Sequence, residues 1–474
     1  MIDRLKTNAG RLPPFLNEVI GALAKVGRPL LVGGCVRDWL MAREPKDYDI
    51  EVYGAPQASV DRELARFGSV DPVGRSFGVI KFRRDGIDFD ISLPRKERKV
   101  SEGHRGFDVG TDPDMTPPGA LARRDFTINA MALDPATSEL IDPFGGRSDI
   151  ERRVLRHTSD AFAEDPLRVL RGFQFAGRFD YRVDSTTAAL CRSIAGNFGE
   201  LPVERVWGEW AKWAAESTRP SAGLRTLEET GWLAHFPEIA NLRGLEQEPE
   251  WHPEGDVFEH TCHCVDALAG MPEWRSMEID ERRALMLAVL SHDLGKAGTT
   301  VREEKHGKLR WISPGHESAS GPLAESLATR IGAPPDLSAR IRPLVENHHS
   351  HHHGPIPPSA SAVRRLARRL APATLAQWLL VLRADHLGRP PLVPEETRQR
   401  IDAWSAAARE LALRDSAPKP ILLGRHLIIA GMKPGPGFKA ILDEAFEVQL
   451  DGGFSDENGA RDWLARKLAT DRSD

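Results

Sequence analysis

Pro29-Leu30-Leu31-Val32-Gly33-Gly34-Cys35-Val36-Arg37-Asp38, followed by Asp47-Tyr48-Asp49, is the stretch on which the reading of this chain turns. A short apolar run broken by two glycines and continued by helical periodicity reads as strand, glycine turn and helix. Residues 48–53 alternate as a second strand. Two aspartates at i and i+2 share one strand face, so the Asp47 and Asp49 carboxylates converge and can bridge a pair of hard cations. The backbone amides of Gly33 and Gly34 at a helix start can approach a triphosphate, with Arg37 as a charged fork. A two-metal site needs a further carboxylate to position the attacking hydroxyl, and Ile87-Asp88-Phe89-Asp90-Ile91 offers two. Asp90 is taken over Asp88, although an exposed edge-strand aspartate fits the local pattern equally well.

Working outward, residues 14–26 carry helical periodicity, and residues 78–83 and 87–93 alternate as strands. Together these give a small mixed sheet packed by helices. Residues 149–243 are mostly helical and arginine-rich. The Glu-, Pro- and Trp-rich residues 246–255 read as a linker, helical patterning then runs to a break at Arg389-Pro390-Pro391, and Lys433-Pro434-Gly435-Pro436-Gly437 precedes a last helical stretch.

A chain of 474 residues exceeds what one core supports, and 41% hydrophobic with 28% charged residues is a globular composition. No apolar run is long enough for a membrane span, and Met1-Ile2-Asp3-Arg4 opens without a signal-type apolar segment, so a cytoplasmic protein is expected. Four scattered cysteines, Cys35, Cys191, Cys262 and Cys264, suit a reducing compartment. Net charge −5 carries no global sign of nucleic-acid binding, so a polyanion must be met by local basic surface. Arginines do cluster, at Arg147, Arg152, Arg153 and Arg156, at Arg168, Arg171 and Arg178, and at Arg364, Arg365, Arg368 and Arg369. Such clusters taken alone are solvated helix faces.

The first motif is followed in order by Arg123-Arg124-Asp125-Phe126-Thr127-Ile128-Asn129-Ala130, Asp142-Pro143-Phe144-Gly145-Gly146, Glu164-Asp165-Pro166-Leu167-Arg168 and Val203-Glu204-Arg205. This ordered set resembles the class II tRNA nucleotidyltransferases and bacterial poly(A) polymerases over residues 28–215, and more loosely to the tail. The resemblance implies template-independent addition of C, C and A to a tRNA 3′ end from CTP and ATP, with Mg2+ at Asp47 and Asp49, and with Arg124 and Asn129 facing the ribose and triphosphate. It brings no membrane and no protein partner. Asp165 and Arg168, spaced i and i+3 on an apparent helix, would set acceptor beside donor in the order that both cytosine and adenine complement. Helix capping by Asp165 and a solvated Arg168 is the alternative. Arg171, one turn on, is a candidate for the second base edge or a phosphate. Residues 94–110, with Arg95, Arg98, Lys99 and Arg105, resemble the mobile loop retained by enzymes that add the terminal A.

A second constellation comprises His260, His292-Asp293 within Leu290-Ser291-His292-Asp293-Leu294-Gly295-Lys296, and Asp385. Imidazole and carboxylate suit a divalent ion. The set, with His316 and His348 as further candidates, resembles HD-family metal phosphohydrolases, which leaves the metal and the substrate open. Most of His348–His353 reads as an exposed loop, and Cys262 and Cys264 lack the partner pair of a zinc site. The expected fold is α+β: a mixed-sheet nucleotidyltransferase head (1–145), a helical neck (146–245), an HD domain (246–400) and a helical tail (401–474). Alarmone synthetase/hydrolases and nitrogen-sensing uridylyltransferases also combine such modules. The former place the HD unit first, and neither has the Arg123 to Ala130 segment. An RNA-repair phosphoesterase with an inactive transferase is opposed by the intact Asp47 and Asp49. A-only addition and poly(A) synthesis use the same motifs as CCA addition and stay open.

Overall fold

The computed structural model describes residues 12–67, 79–84, 87–99, 107–112, 114–352, 354–392 and 394–470. The chain divides into two compact units, one running to Trp213 and resuming at Ser217–His235, the other comprising Ala214–Glu216 and Phe236 onward. The fold is α+β, and among the described residues no helix is long and apolar enough to cross a membrane.

In the first unit, α1 (Pro14–Leu23), β1 (Arg28–Val32), α2 (Gly34–Leu40), β2 (Asp47–Tyr53), β3 (Val79–Arg84), β4 (Ile87–Ser92), β5 (Arg95–Lys99), β6 (Phe107–Thr111), β7 (Ala132–Leu133) and β8 (Leu140–Ile141) precede the long neck helix α3 (Leu167–Phe179). Six strands form one mixed sheet in the order β3-β4-β2-β1-β7-β8. Alternation along β2 decides its orientation. Tyr48, Ile50 and Val52 are buried, which leaves Asp47, Asp49 and Glu51 on the opposite face. Tyr48 stacks on Phe89 of the parallel neighbour β4, with ring centroids 6.0 Å apart. Buried Leu16, Val19 and Leu23 give α1 its apolar stripe.

The basic segment after residue 94 is more regular than a loop. Its arms β5 and β6 pair antiparallel, from Arg95 opposite Thr111 to Lys99 opposite Phe107. Arg105 lies outside the described residues.

The second unit is helical: α4 (Val257–Gly270), α5 (Ile279–Ser291), α6 (His316–Arg330), α7 (Pro335–Glu346), α8 (Ala360–Leu370), α9 (Leu375–Leu387), α10 (Glu395–Glu410), α11 (Gly437–Leu450) and α12 (Glu457–Thr470). Every residue of α5 from Ala284 to Ser291 is buried, because α4 and α7 flank it. The tail has its own small core of Leu422, Leu427, Ala445, Phe454, Ala460 and Leu464. The arginine cluster on α8 is matched internally. Arg365 bonds Glu447 (2.7 Å) and Asp451 (2.8 Å), and Arg368 pairs with Glu447.

Residues 246–255 do not behave as a linker. Gln247 is buried, the Glu254 side chain is fully buried, and Glu248 bonds Arg310 (3.4 Å), so this irregular stretch is a wall of the second unit. The histidine run is likewise not an exposed loop: His348 and His351 are buried, and Ser350–His352 forms a tight turn. His353 lies outside the described residues.

Candidate functional site

Antiparallel pairing sets Val32 opposite Asp49, so the end of β1 delivers the Gly33 turn beside the carboxylates. Gly33 has φ +74°, and a Cβ there would sit 2.3 Å from the Arg124 guanidinium, so only glycine fits. Its N–H donates to the Met131 carbonyl (3.0 Å) and is therefore not available to a triphosphate, contrary to expectation. Gly34 opens the first turn of α2, where helix amides have no intrahelical acceptor.

Parallel pairing of β2 with β4 places Asp47 beside Asp88 and Asp49 beside Asp90. Burial pushes the Asp49 carboxyl up, and Asp90, Glu51 and Asp47 push it further against the opposing pull of Arg124. Such clustered oxygen ligands suit a hard divalent cation. Asp90 is the carboxylate that acts on Asp49, which favours it over Asp88; Lys81 pairs with Asp90 (3.2 Å) and Arg83 with Asp88 (3.5 Å). The carboxylates open on a cleft of about 530 Å3 whose cations include Lys46, Lys81 and Arg178. Glu51 was missed, although it continues the alternation; it holds Arg124 at 2.9 Å.

Arg37 is not an exposed fork. It is only 6% exposed, Nε and Nη2 donate to Asp38 (2.9 and 2.7 Å), and Nη1 donates to Asn129 Oδ1 (2.6 Å). Asn129 Nδ2 donates to Asp125 (3.0 Å), which also accepts Arg171 Nε (2.6 Å) and the Phe126 N–H (2.7 Å). A buried relay thus runs from α2 to α3, and Arg171 is tied into it rather than presented to a base. The opposing charge of Arg171 and these hydrogen bonds outweigh burial and hold the Asp125 carboxyl below its ordinary range. Asp125→Ala strands the Asn129 and Phe126 N–H donors, and is expected to cost about 3 kcal/mol of stability, read as a lower urea midpoint of the first unit's transition. An unchanged midpoint would contradict the relay.

Asp165 and Arg168 do not share a helix face. The helix α3 begins at Leu167, and Asp165 is extended (φ −124°, ψ 99°) because Pro166 disfavours helix before it. Asp165 accepts the Leu167 N–H (3.1 Å) and Arg205 Nη2 (3.0 Å), while Arg168 donates to the Ala161 and Arg123 carbonyls, both at 2.7 Å.

The residues of the second constellation lie close together, and others join them. His260 Nε2 lies 3.2 Å from Asp385 and 3.6 Å from Asp293 Oδ2, which is 3.2 Å from His292 Nε2. On its other side, Asp293 Oδ1 faces His316 Nε2 at 3.2 Å and His348 Nε2 at 3.8 Å. The ring orientations are fixed from behind. Nδ1 of His292, His316 and His348 donates to the carbonyls of Val289 (2.7 Å), Ser313 (2.8 Å) and Val345 (2.7 Å), and His260 Nδ1 donates to Glu254 (2.8 Å). With Nδ1 donating backward, each ring turns its Nε2 toward the cluster.

The Nε2 atoms of His316 and His348 then face each other at 3.3 Å, an arrangement that calls for a cation between them. His292 Nε2 and Asp293 Oδ1 are buried without a hydrogen-bond partner. Burial holds His348 well below its usual range, helped by His349 and His292, and so keeps it neutral. Asp293 stays ionised despite burial because His292 and Lys296 hold its carboxyl well down. The donor set fits one or two divalent ions. Cys264, set aside as a zinc ligand on its sequence spacing, lies one turn after His260 with its Sγ 3.3 Å from His260 Nε2. Lys296 (2.8 Å from Asp293) and Arg389 (2.7 Å from Asp385) line the adjoining cleft of about 390 Å3.

A carboxylate-bearing strand beside a glycine turn, on a small mixed sheet joined to a helical neck, defines a polymerase-type nucleotidyltransferase. Residues 30–156 match the family described as Poly A polymerase head domain. A multifunctional CCA protein from Cupriavidus metallidurans is 37% identical over 399 residues, which cover 81% of this chain and 89% of that one. The Bacillus stearothermophilus CCA-adding enzyme in complex with CTP shares the fold with TM-score 0.66 at 20% identity, covering 98% and 100% of the two chains. The Thermotoga maritima CCA-adding enzyme complexed with tRNA-CCA gives 0.58 at 21% identity and 98% of each. The chain belongs to the CCA-adding enzyme and poly(A) polymerase family.

Proposed function

We infer that this chain adds C, C and A to the 3′ end of tRNA from CTP and ATP, without a nucleic-acid template. The observation that carries the reading is the Asp47, Asp49 and Asp90 face beside Gly33, in a chain 37% identical to a multifunctional CCA protein across most of its length. Asp47 and Asp49 hold the catalytic divalent ions, for which Mg2+ suits the all-oxygen set. Such ions stabilise the attacking and leaving oxygens of an in-line displacement at the α-phosphate. Asp90 orients the tRNA 3′-hydroxyl, and Lys46 and Arg178 supply positive charge to the triphosphate in the cleft. Incubation with tRNA ending at the discriminator base is the test. CTP alone should extend by two residues, and CTP with ATP by three. A long homopolymer of A from ATP alone would overturn CCA addition in favour of poly(A) synthesis.

Asp165 and Arg168 read the base, with Arg205 releasing Asp165 as the nucleotide enters. The two backbone carbonyls fix the plane of the Arg168 fork. Exchanging the pair, Asp165→Arg with Arg168→Asp, costs total activity because those carbonyls lose their donor. Relative kcat/KM should nevertheless move from CTP and ATP toward UTP and GTP by roughly one to a few orders of magnitude, at about 1–3 kcal/mol per base contact. An active double variant with unchanged preference would make the pair structural.

The second unit carries a divalent-cation phosphohydrolase site of the HD type. Asp293 bridges two ligand groups, His260, His292 and Asp385 on one side and His316 with His348 on the other. Lys296 and Arg389 give the cleft its preference for anionic phosphoesters.

A further inference from the structure

Helix α4 carries Cys264 one turn after His260, so the two side chains lie on one helix face. Cys262, two residues back, lies on the opposite face. The Cys264 thiol is fully buried, and its Sγ stands 3.3 Å from His260 Nε2. Metal bonds of about 2.3 Å to sulfur and about 2.0 Å to imidazole nitrogen, at a tetrahedral angle, set the two ligand atoms about 3.5 Å apart, so the pair is spaced as two ligands of one ion. His292, which follows α5, and Asp385 of α9 complete the group. One ligand atom from each of His260, Cys264, His292 and Asp385 lies within 4.8 Å of the other three, and all four residues are buried. His292 Nε2 is buried in this group without a hydrogen-bond partner. Gly388, just past α9, leaves room for the sulfur, because a Cβ there would overlap Cys264 Sγ. His260, Cys264 and His292 do not line the cleft of the second unit, whereas Asp293, His316 and Asp385 do.

We propose that Cys264 is a metal ligand that closes, with His260, His292 and Asp385, a four-ligand position for a thiophilic divalent ion of the Zn2+ class. The proposal rests on reading the second unit as a metal site. Thiolate and imidazole select zinc over Mg2+, which takes oxygen ligands. On coordination the thiol yields its proton to solvent, and one sulfur, two nitrogens and one oxygen fill a tetrahedral shell. A filled shell holds its ion without offering a place to substrate, so the open position is the one that Asp293 shares with His316 at the cleft.

Titration of the metal-stripped full chain with Co2+, followed by absorption, reads the ligands directly. A cobalt–thiolate bond gives a near-ultraviolet charge-transfer band, and four-coordinate cobalt gives visible bands. Wild type should show both saturably. Zn2+ should bleach the charge-transfer band, and a large excess of Mg2+ should not. Cys264→Ser should lose that band and bind Zn2+ at least about 100-fold more weakly, since loss of a ligand costs more than loss of a group behind one. Cys262→Ser should keep it. If Cys264→Ser does not fold, as judged by far-UV circular dichroism, Cys35→Ser, Cys191→Ser and Cys262→Ser combined leave Cys264 as the one thiol, and the band should persist. Visible cobalt bands without a charge-transfer band in wild type, or a band retained in Cys264→Ser, overturn the proposal and leave the metal site standing. A chain that binds no cobalt overturns both.

Discussion

Asp49→Ala abolishes nucleotide addition, with kcat/KM for CTP incorporation expected to fall by at least about 10^3-fold, because a lost metal clamp removes several kcal/mol of transition-state charge stabilisation. Asp47→Ala should act in the same direction. The loss comes without unfolding. Asp49 faces away from the Tyr48, Ile50 and Val52 core, and its neighbours Asp90, Glu51 and Asp47 repel its charge. Removing that charge relieves the repulsion, and Arg124 keeps Glu51 as a partner at 2.9 Å. The metal-free variant should therefore be within about 1 kcal/mol of wild type, or slightly more stable, by urea denaturation. A site that trades stability for function behaves this way. Near-normal addition by either variant would sink the assignment, and a loss of activity that tracks a loss of fold would make Asp49 structural.

Asp293→Asn is expected to empty the second site and to lower metal-dependent hydrolysis of small phosphoesters or cyclic phosphates by at least about 10^3-fold, while tRNA extension proceeds at the wild-type rate. Asparagine is chosen because Lys296 is buried against this carboxylate at 2.8 Å, and an alanine would leave that cation with only the neutral amide oxygen of Gln247, also at 2.8 Å, as its acceptor. Since Asp293 faces both ligand groups, its substitution should lower bound metal on both sides, whereas His348→Ala should affect the side shared with His316. Metal content by elemental analysis, read beside hydrolysis and tRNA extension, separates the two. Retained hydrolysis in Asp293→Asn would refute the bridging role. Loss of both activities with the fold intact would refute the independence of the two sites.

The sequence by itself determined the head. Alternation along Asp47–Tyr53 has a period of two, so the face shared by the carboxylates follows from local covalent geometry and needs no partner strand. The Gly33-Gly34 break and the strands at Ile87–Ser92 and Val79–Arg84 were legible for similar reasons, as short patterns with fixed spacing, whereas His260, His292, Asp293 and Asp385, far apart along the chain, were grouped only by the resemblance to HD-family phosphohydrolases. Glu51 was legible too, two residues beyond Asp49, and was passed over; Cys264, one turn beyond His260, was weighed and set aside because no second ligand pair follows it.

Only the tertiary structure decided the rest. The relay Arg37–Asn129–Asp125–Arg171 joins residues as far as 92 positions apart, and it turned an apparent phosphate fork into a buried strut. The linker-like residues 246–255 became a wall because Glu254 meets His260 Nδ1, a contact that composition does not encode. The other histidines are aimed by backbone carbonyls of Val289, Ser313 and Val345, groups that every residue type carries and that leave no mark in a sequence. Side-chain spacing along an element is set by the chain itself; which distant groups satisfy a buried charge or donor is set by packing, and that is known only once the chain has folded.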